Sequence, residues 1–273
     1  MPATIQDQLN AAAASGDVEQ LQALCQSHRQ EISTRDAQEL LATATEAFQA
    51  STIDYLLTEF PEMEIKIDAV AEVAAGEGSI PIFSKLVARD PTIASRRLDR
   101  TGTPLSVACT GRQPVAFLRY LLELGADPNQ NPDLTGYPIA LVAGLYPDDE
   151  AAAAIDLLLE HGARLEHSGA LGHTAVLGRE ASLRFLLEKG AKPDTDAIKI
   201  GSKIGGSHPL HDVLWGGHIG AAKLLLDHSS SINVHDQNGK SIMEKAAHLE
   251  AKGKDRSEII TLLSEVEKER SNQ

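Results

Sequence analysis

The stretch HPLHDVLWGGH, residues 208–218, brings together three histidines, the only tryptophan of the chain and a glycine pair. His208 and His211 stand three apart, a spacing that puts both on one face of a helix. His218 follows the glycine break, close enough in sequence to fold back towards them. Histidine is a common zinc ligand, and an HxxH pair with a third donor is a candidate open metal site. Other groups raise other chemistries. Cys109, in TPLSVACTG, is a candidate nucleophile, and Asp148, Asp149 and Glu150, in YPDDEAAAAIDLLL, look like paired carboxylates for acid–base work. IGSKIGG (200–206) sets glycines beside a lysine, as phosphate-binding loops do. Which of these is chemistry and which is scaffold depends on the elements that carry them.

Composition narrows those elements. The chain has 273 residues, room for one elongated or two compact domains, and 42% of them are hydrophobic while only 4% are aromatic. The core is therefore built from Ala, Leu, Ile and Val, and alanine has the best intrinsic helix propensity. An all-α fold is expected. The formal net charge is −14, with charges of both signs scattered and no basic stripe of the kind nucleic-acid binding needs. No nucleic-acid partner is expected, and no membrane partner either, because no apolar run is long enough to span a bilayer. The start, MPATIQDQLNAAAASGD, lacks the basic and apolar segments of a secretory signal. Two cysteines, Cys25 and Cys109, make no disulfide framework. The cytoplasm is the expected location, with the nucleus left open.

The chain repeats itself. LRYLLELGADPNQ, IDLLLEHGARLE, LRFLLEKGAKPDT and AKLLLDHSSSINV are versions of one phrase, the last with serines in place of Gly-Ala. Upstream of these runs a second phrase, starting at Thr103, Tyr137, Gly169, His208 and Ser241, at intervals of 34, 32, 39 and 33 residues. Apolar residues recur within each unit at helical spacing, as in Leu183, Leu186 and Leu187, or Ile219, Leu224 and Leu225. Each helix is too short to bury its own stripe, so neighbours must stack. Gly125, Gly162 and Gly190 follow their helices where a left-handed residue is expected. Further upstream, LNAAAASGDVEQLQAL and AVAEVAAGEGSIPIFSKLV keep the pattern, and residues 36–60 keep it least.

The period and the TPLSVA and HPLHDV phrases resemble the ankyrin repeat, of about 33 residues with a T-P-L-H-x-A signature. The resemblance implies a solenoid of stacked helix-turn-helix units in one domain over 1–273, about eight repeats with divergent terminal caps. Residues 1–98 would be divergent repeats, 99–250 recognisable ones and 251–273 a C-terminal capping helix, with Ile259, Ile260, Leu262, Leu263 and Val266 on its apolar stripe. On this frame Pro209 opens a helix, where its missing N–H costs nothing. His211 takes the signature histidine, which in the family hydrogen-bonds around the turn, and His218 takes the family's Gly-His place; only His208, standing where threonine is usual, is off the pattern. Cys109 becomes a small buried hydrophobe, and the three acids sit at a helix N-terminus, which favours negative charge. IGSKIGG lacks both the order of a phosphate loop and a preceding strand. No catalytic residue, metal or cofactor is expected.

Ankyrin repeats mostly bind other proteins through a concave face, and the resemblance carries that face onto residues here. Leu145 with Gly144, Val176 with Leu177, Trp215 with Gly216, and His248 with Leu249 would line the first-helix edge of the groove. Trp215 either contacts a partner, as tryptophan does in binding hot spots, or packs on Val176, Leu177 or Leu249. An insertion of about six residues beyond the period carries Lys199 and Lys203 and either rims the groove or is a tolerated loop. The leading reading is a non-catalytic adaptor, scaffold or inhibitor that binds a protein partner. The alternative is an enzyme, or an enzyme's accessory subunit, with a small-molecule pocket among His173, His208, His211 and His248. If the histidines close repeats rather than hold zinc, a strong chelator leaves the melting temperature unchanged. A fall of several degrees in a chelated sample restores the metal site.

Overall fold

Alanine- and leucine-rich phrases punctuated by Gly, Pro and capping residues fold as helices. A computed structural model of the chain describes residues 4–65, 68–98, 101–130, 136–196, 208–236 and 238–271. Every α-helix and 3-10 turn lies among these residues, and the only extended pairings among them are two isolated bridges, Leu98 with Gly102 and His235 with Ser241. The chain divides into two units, 1–127 and 128–273. The first contains α1 (Ile5–Ser15), α2 (Val18–Ser27), α3 (Thr34–Glu46), α4 (Ala50–Glu59), α5 (Asp68–Gly76), α6 (Ile80–Arg89), α7 (Pro104–Thr110) and α8 (Val115–Glu123). The second contains α9 (Pro138–Leu145), α10 (Asp148–Glu160), α11 (Ala170–Leu177), α12 (Glu180–Glu188), α13 (Pro209–Gly216), α14 (Ile219–Asp227), α15 (Ile242–Glu250) and α16 (Ser257–Ser271). The fold is all-α. No helix among the described residues is long and apolar enough to cross a membrane.

One packing scheme runs through both units. Each odd-numbered helix packs on the helix that follows it and on the next odd-numbered helix of its unit. The even-numbered helices of the second unit, α10, α12, α14 and α16, touch in the same succession. Helices of seven to fifteen residues are marginal alone in water, and tertiary packing of their apolar faces supplies their stability. In the second unit Leu183, Leu186, Leu187, Leu224 and Leu225 are buried, as are Ile259 and Leu263 of α16. Ile219, Ile260, Leu262 and Val266 are only half-buried, so the stripes are narrower than the sequence pattern implies. In the first unit Phe83 meets Phe117 edge-on, ring centroids 5.7 Å apart, with Tyr120 beside them.

The ends of the helices are built from local sequence. Thr4 with Asp7, Ser33 with Asp36 and Ser241 with Glu244 form capping boxes, each satisfying a backbone N–H that the helix leaves open. Pro104, Pro138 and Pro209 open their helices as first residues. Gly125, Gly162 and Gly190 have φ of +88°, +86° and +96°, the left-handed closure expected of them. Where the sequence has serines instead, Ser229 takes the same conformation, with φ +64°.

Leu186 lies on the inward face of α12 with no exposed surface. Leu186→Ala should therefore lower the unfolding free energy by about 2–5 kcal/mol, the usual cost of a buried leucine. Denaturant titration measures it, and a loss below about 0.5 kcal/mol would place the buried face elsewhere.

Candidate functional site

The turns inside the helix pairs carry most of the geometry. Between α1 and α2, α5 and α6, α11 and α12, and α13 and α14 the chain turns through a left-handed glycine: Gly16, Gly78, Gly178 and Gly217. A long or ring side chain from the next pair lies across each of these glycines: Gln49 over Gly16, Gln113 over Gly78, His218 over Gly178 and Arg256 over Gly217. A Cβ at Gly178 would stand 2.6 Å from the His218 ring, so the turn needs glycine for space as well as for φ. Several of these reaching side chains also cap the helix end they cross. Gln49 donates to the Ala14 carbonyl at 3.2 Å, Gln113 to the Gly76 carbonyl, and Arg256 to the carbonyls of Leu214 and Trp215. Arg179 does the same for Tyr146 at the end of α9, and it also pairs with Asp148 at 2.8 Å. The three acids of 148–150 thus stand in the first turn of α10, as the sequence indicates, and one of them holds an arginine.

At the other end of the pairs the histidines are straps. The His173 ring bonds the Ala140 carbonyl through Nδ1 at 2.8 Å, and the fully buried His211 bonds the Val234 carbonyl through Nε2 at 3.2 Å. His208 caps α13, its Nδ1 accepting from Leu210 N at 3.2 Å while Nε2 pairs with Asp194 at 2.8 Å. Asp194 also accepts from Ser231 N at 2.9 Å, and Asp196 accepts from Ser168 Oγ, Gly169 N and Leu171 N at the start of α11. Burial pushes the Asp196 carboxyl up to about 6 despite these donors. Burial likewise lowers His208, against the pull of Asp194, and lowers His211 to about 4, with the Lys245 ammonium adding to the effect. The four histidines of the small-molecule alternative do not converge: three are engaged separately, and His248 is exposed. Among the described residues no group of three His, Cys, Asp or Glu side chains is placed to hold a metal ion. Cys109 and Cys25 are buried and unlinked, and burial raises both thiols, which disfavours the nucleophilic thiolate.

The surface residues expected to meet a partner separate into three groups. Trp215 is 49% exposed and Leu177 43% exposed, both at the ends of first helices. Val176 and Leu145 are half-buried, and His248 is exposed. Leu249 is a correction. It is 1% exposed, because it continues the inward face of α15 set by Ile242 and Ala246, and so it cannot line a groove. Lys199 and Lys203 lie outside the described residues. α11 and α13 pack closely at this edge because Gly216 has no Cβ; one would strike the Val176 carbonyl. The Trp215 ring carries two ammonium groups, Lys254 Nζ at 4.9 Å and Lys245 Nζ at 5.8 Å from its centroid.

Two further large apolar residues are exposed at the turns of the first unit, where the repeat pattern does not single them out. Phe48 is 48% exposed and Ile80 37% exposed, at the α3–α4 turn and at the start of α6. Phe48 occupies the turn position where other pairs have glycine, with φ +56°, an outlier for a bulky residue. The signal was present as an aromatic in a glycine position, hidden by the poor repeat match of residues 36–60. No protein-family model matches the chain, and no curated protein matches it either, so the site is read from its own geometry.

The buried histidine makes a pH test. Its ordinary value is about 6.5 and its folded value about 4, so the stability from keeping His211 neutral is present above pH 6.5 and is lost as pH falls towards 4. Asp196 tilts the other way, since a raised carboxyl favours the folded state at low pH and loses that advantage as pH rises through 6. The difference between two proteins isolates the histidine. Between pH 6.5 and 4, wild type should lose about 2–3 kcal/mol more than His211→Gln. Parallel stability–pH curves would show that His211 does not stay neutral in the fold.

Proposed function

We propose that the helix pairs of both units are ankyrin-type repeats, about eight with divergent first and last members, and that the protein binds a protein partner without catalysis of its own. What supports the repeat is the recurrence of contacts at its period. His173 reaches Ala140, Arg179 reaches Tyr146 and Asn129 reaches Gly162, each pair 33 residues apart. The T-P-L-H place of His211, the left-handed glycines and the pairwise packing of successive helices agree with it.

One observation carries the binding role. The large apolar side chains exposed among the described residues are Phe48, Ile80, Leu177 and Trp215, and all four lie at the turn joining the two helices of a pair. Scattered exposed hydrophobes are ordinary on a protein surface. Here all four fall within two residues of the left-handed residue of a turn, which supports an apolar interaction surface at the turns. Tryptophan is also the residue most enriched in binding hot spots. Trp215 and Leu177 would anchor the contact in the second unit, with Val176, Leu145 and His248 around them.

Capture of a binder from the native cell, followed by calorimetry with purified Trp215→Ala, tests this reading. The side chain is half outside the core, so the variant should fold and melt within a few degrees of wild type. Affinity should fall by roughly thirtyfold, the effect of losing a hot-spot side chain. A folded variant with unchanged affinity would move the binding face away from this edge.

A further inference from the structure

We infer that the Trp215 edge of the second unit takes an acidic peptide segment, one apolar side chain packed against the exposed part of the indole and its flanking carboxylates met by the surrounding lysines. The inference rests on the interaction reading above and specifies the partner. Trp215 is half exposed, and the ammoniums of Lys254 and Lys245 lie 4.9 and 5.8 Å from its ring centroid, a cation–π arrangement that keeps positive charge at the ring. Lys245 is itself mostly buried, with the carboxylates of Asp212 and Asp236 acting on it. Lys254 is exposed, as is Lys252 two residues earlier, and among the described residues neither has a carboxylate at ion-pair distance.

Of the acids on α13, α15 and the link to α16, Glu250 is exposed and three others are engaged or buried. Asp255 accepts from Ser257 N at 3.0 Å and Ser257 Oγ at 2.7 Å, Glu244 closes the capping box of α15, and Asp212 is buried. The ammoniums of Lys240 and Lys252 hold His248, on the exposed side of α15, below its usual range, which marks a positive local potential in a chain of net charge −14. Beside the indole, Leu177 and Val176 continue the apolar surface on α11. An apolar strip with free cations along one side suits an apolar anchor with carboxylates next to it. A long polyanion would run on over the acidic remainder of the chain, whereas a short acidic segment meets only this edge within a screening length.

Trp215 is the only tryptophan, so its emission reports on this edge alone. The full chain would be titrated with a synthetic peptide of one leucine between pairs of glutamates, and with matched glutamine and lysine peptides. The glutamate peptide should shift the emission to the blue and bind about tenfold more tightly than the glutamine peptide, the advantage shrinking as salt approaches about 0.5 M. Lys254→Gln should weaken the glutamate peptide about threefold or more and leave the glutamine peptide unchanged. Equal affinity for the glutamate and glutamine peptides would overturn the acidic partner while leaving the apolar contact standing. An emission unmoved by all three peptides would overturn the inference, and the Trp215→Ala calorimetry then judges the wider reading separately. A single-stranded oligonucleotide that binds more tightly than the glutamate peptide would also overturn it.

Discussion

A short helix ends in carbonyl groups that it cannot satisfy itself, and here the next helix pair supplies what is missing. Gln49, Gln113, Arg179 and Arg256 each reach back to a helix end of the preceding pair, and His218 covers the turn at Gly178. This contact sets much else. Where the turn holds a glycine, the incoming side chain fills the space that a Cβ would take, and at Tyr146 the arginine reaches the helix end without one. The reach spans 33 to 42 residues, so the long side chains absorb differences in the length of the pairs. Uniform apolar burial would hold helices together without fixing their register, whereas these polar contacts do both.

The same arrangement explains where apolar surface can be shown. Side chains at the turns sit on a backbone held by cross-pair hydrogen bonds, so an exposed ring there loses little further freedom when something binds it. Trp215 is the clearest case, since Arg256 donates to its carbonyl while two ammoniums lie over its ring. At the opposite ends of the pairs, Asp194 and Asp196 tie the start of α11, the cap of α13 and the chain after α14 into one polar cluster. Of the histidines that look like metal ligands in the sequence, His208 joins that cluster, His211 bonds the Val234 carbonyl and His218 lies over the Gly178 turn.

Helices were legible in the sequence because alanine, leucine spacing, Pro at helix starts and Gly at helix ends all agree on them. The buried roles of Cys109, Leu186 and Leu187 followed from the same periodicity. Trp215 and Leu177 could be placed at an exposed edge because the glycine after each helix marks the turn. Leu249 could not, because α15 runs on to Glu250 and closes only at the left-handed Gly253, four residues past Leu249. Lys254 and Lys245 come to the indole from a different helix pair, a relation of folded position that no local spacing encodes. Asp196 was equally hidden: its partners lie 25 to 28 residues back, and nothing distinguishes it from a surface loop acid until the backbone N–H groups converge on it.

Because the caps from Gln49, Gln113, Arg179 and Arg256 come from a later part of the chain, these helix ends have a direction of completion. During synthesis the end of α1 stays open until Gln49 has been made, 35 residues after Ala14, and the end of α13 waits for Arg256, 42 residues after Leu214. Until the next pair has been made, a nascent chain therefore carries these particular helix ends uncapped. A premature stop between two pairs would strand one set of open carbonyls at the break, whatever the number of pairs already complete.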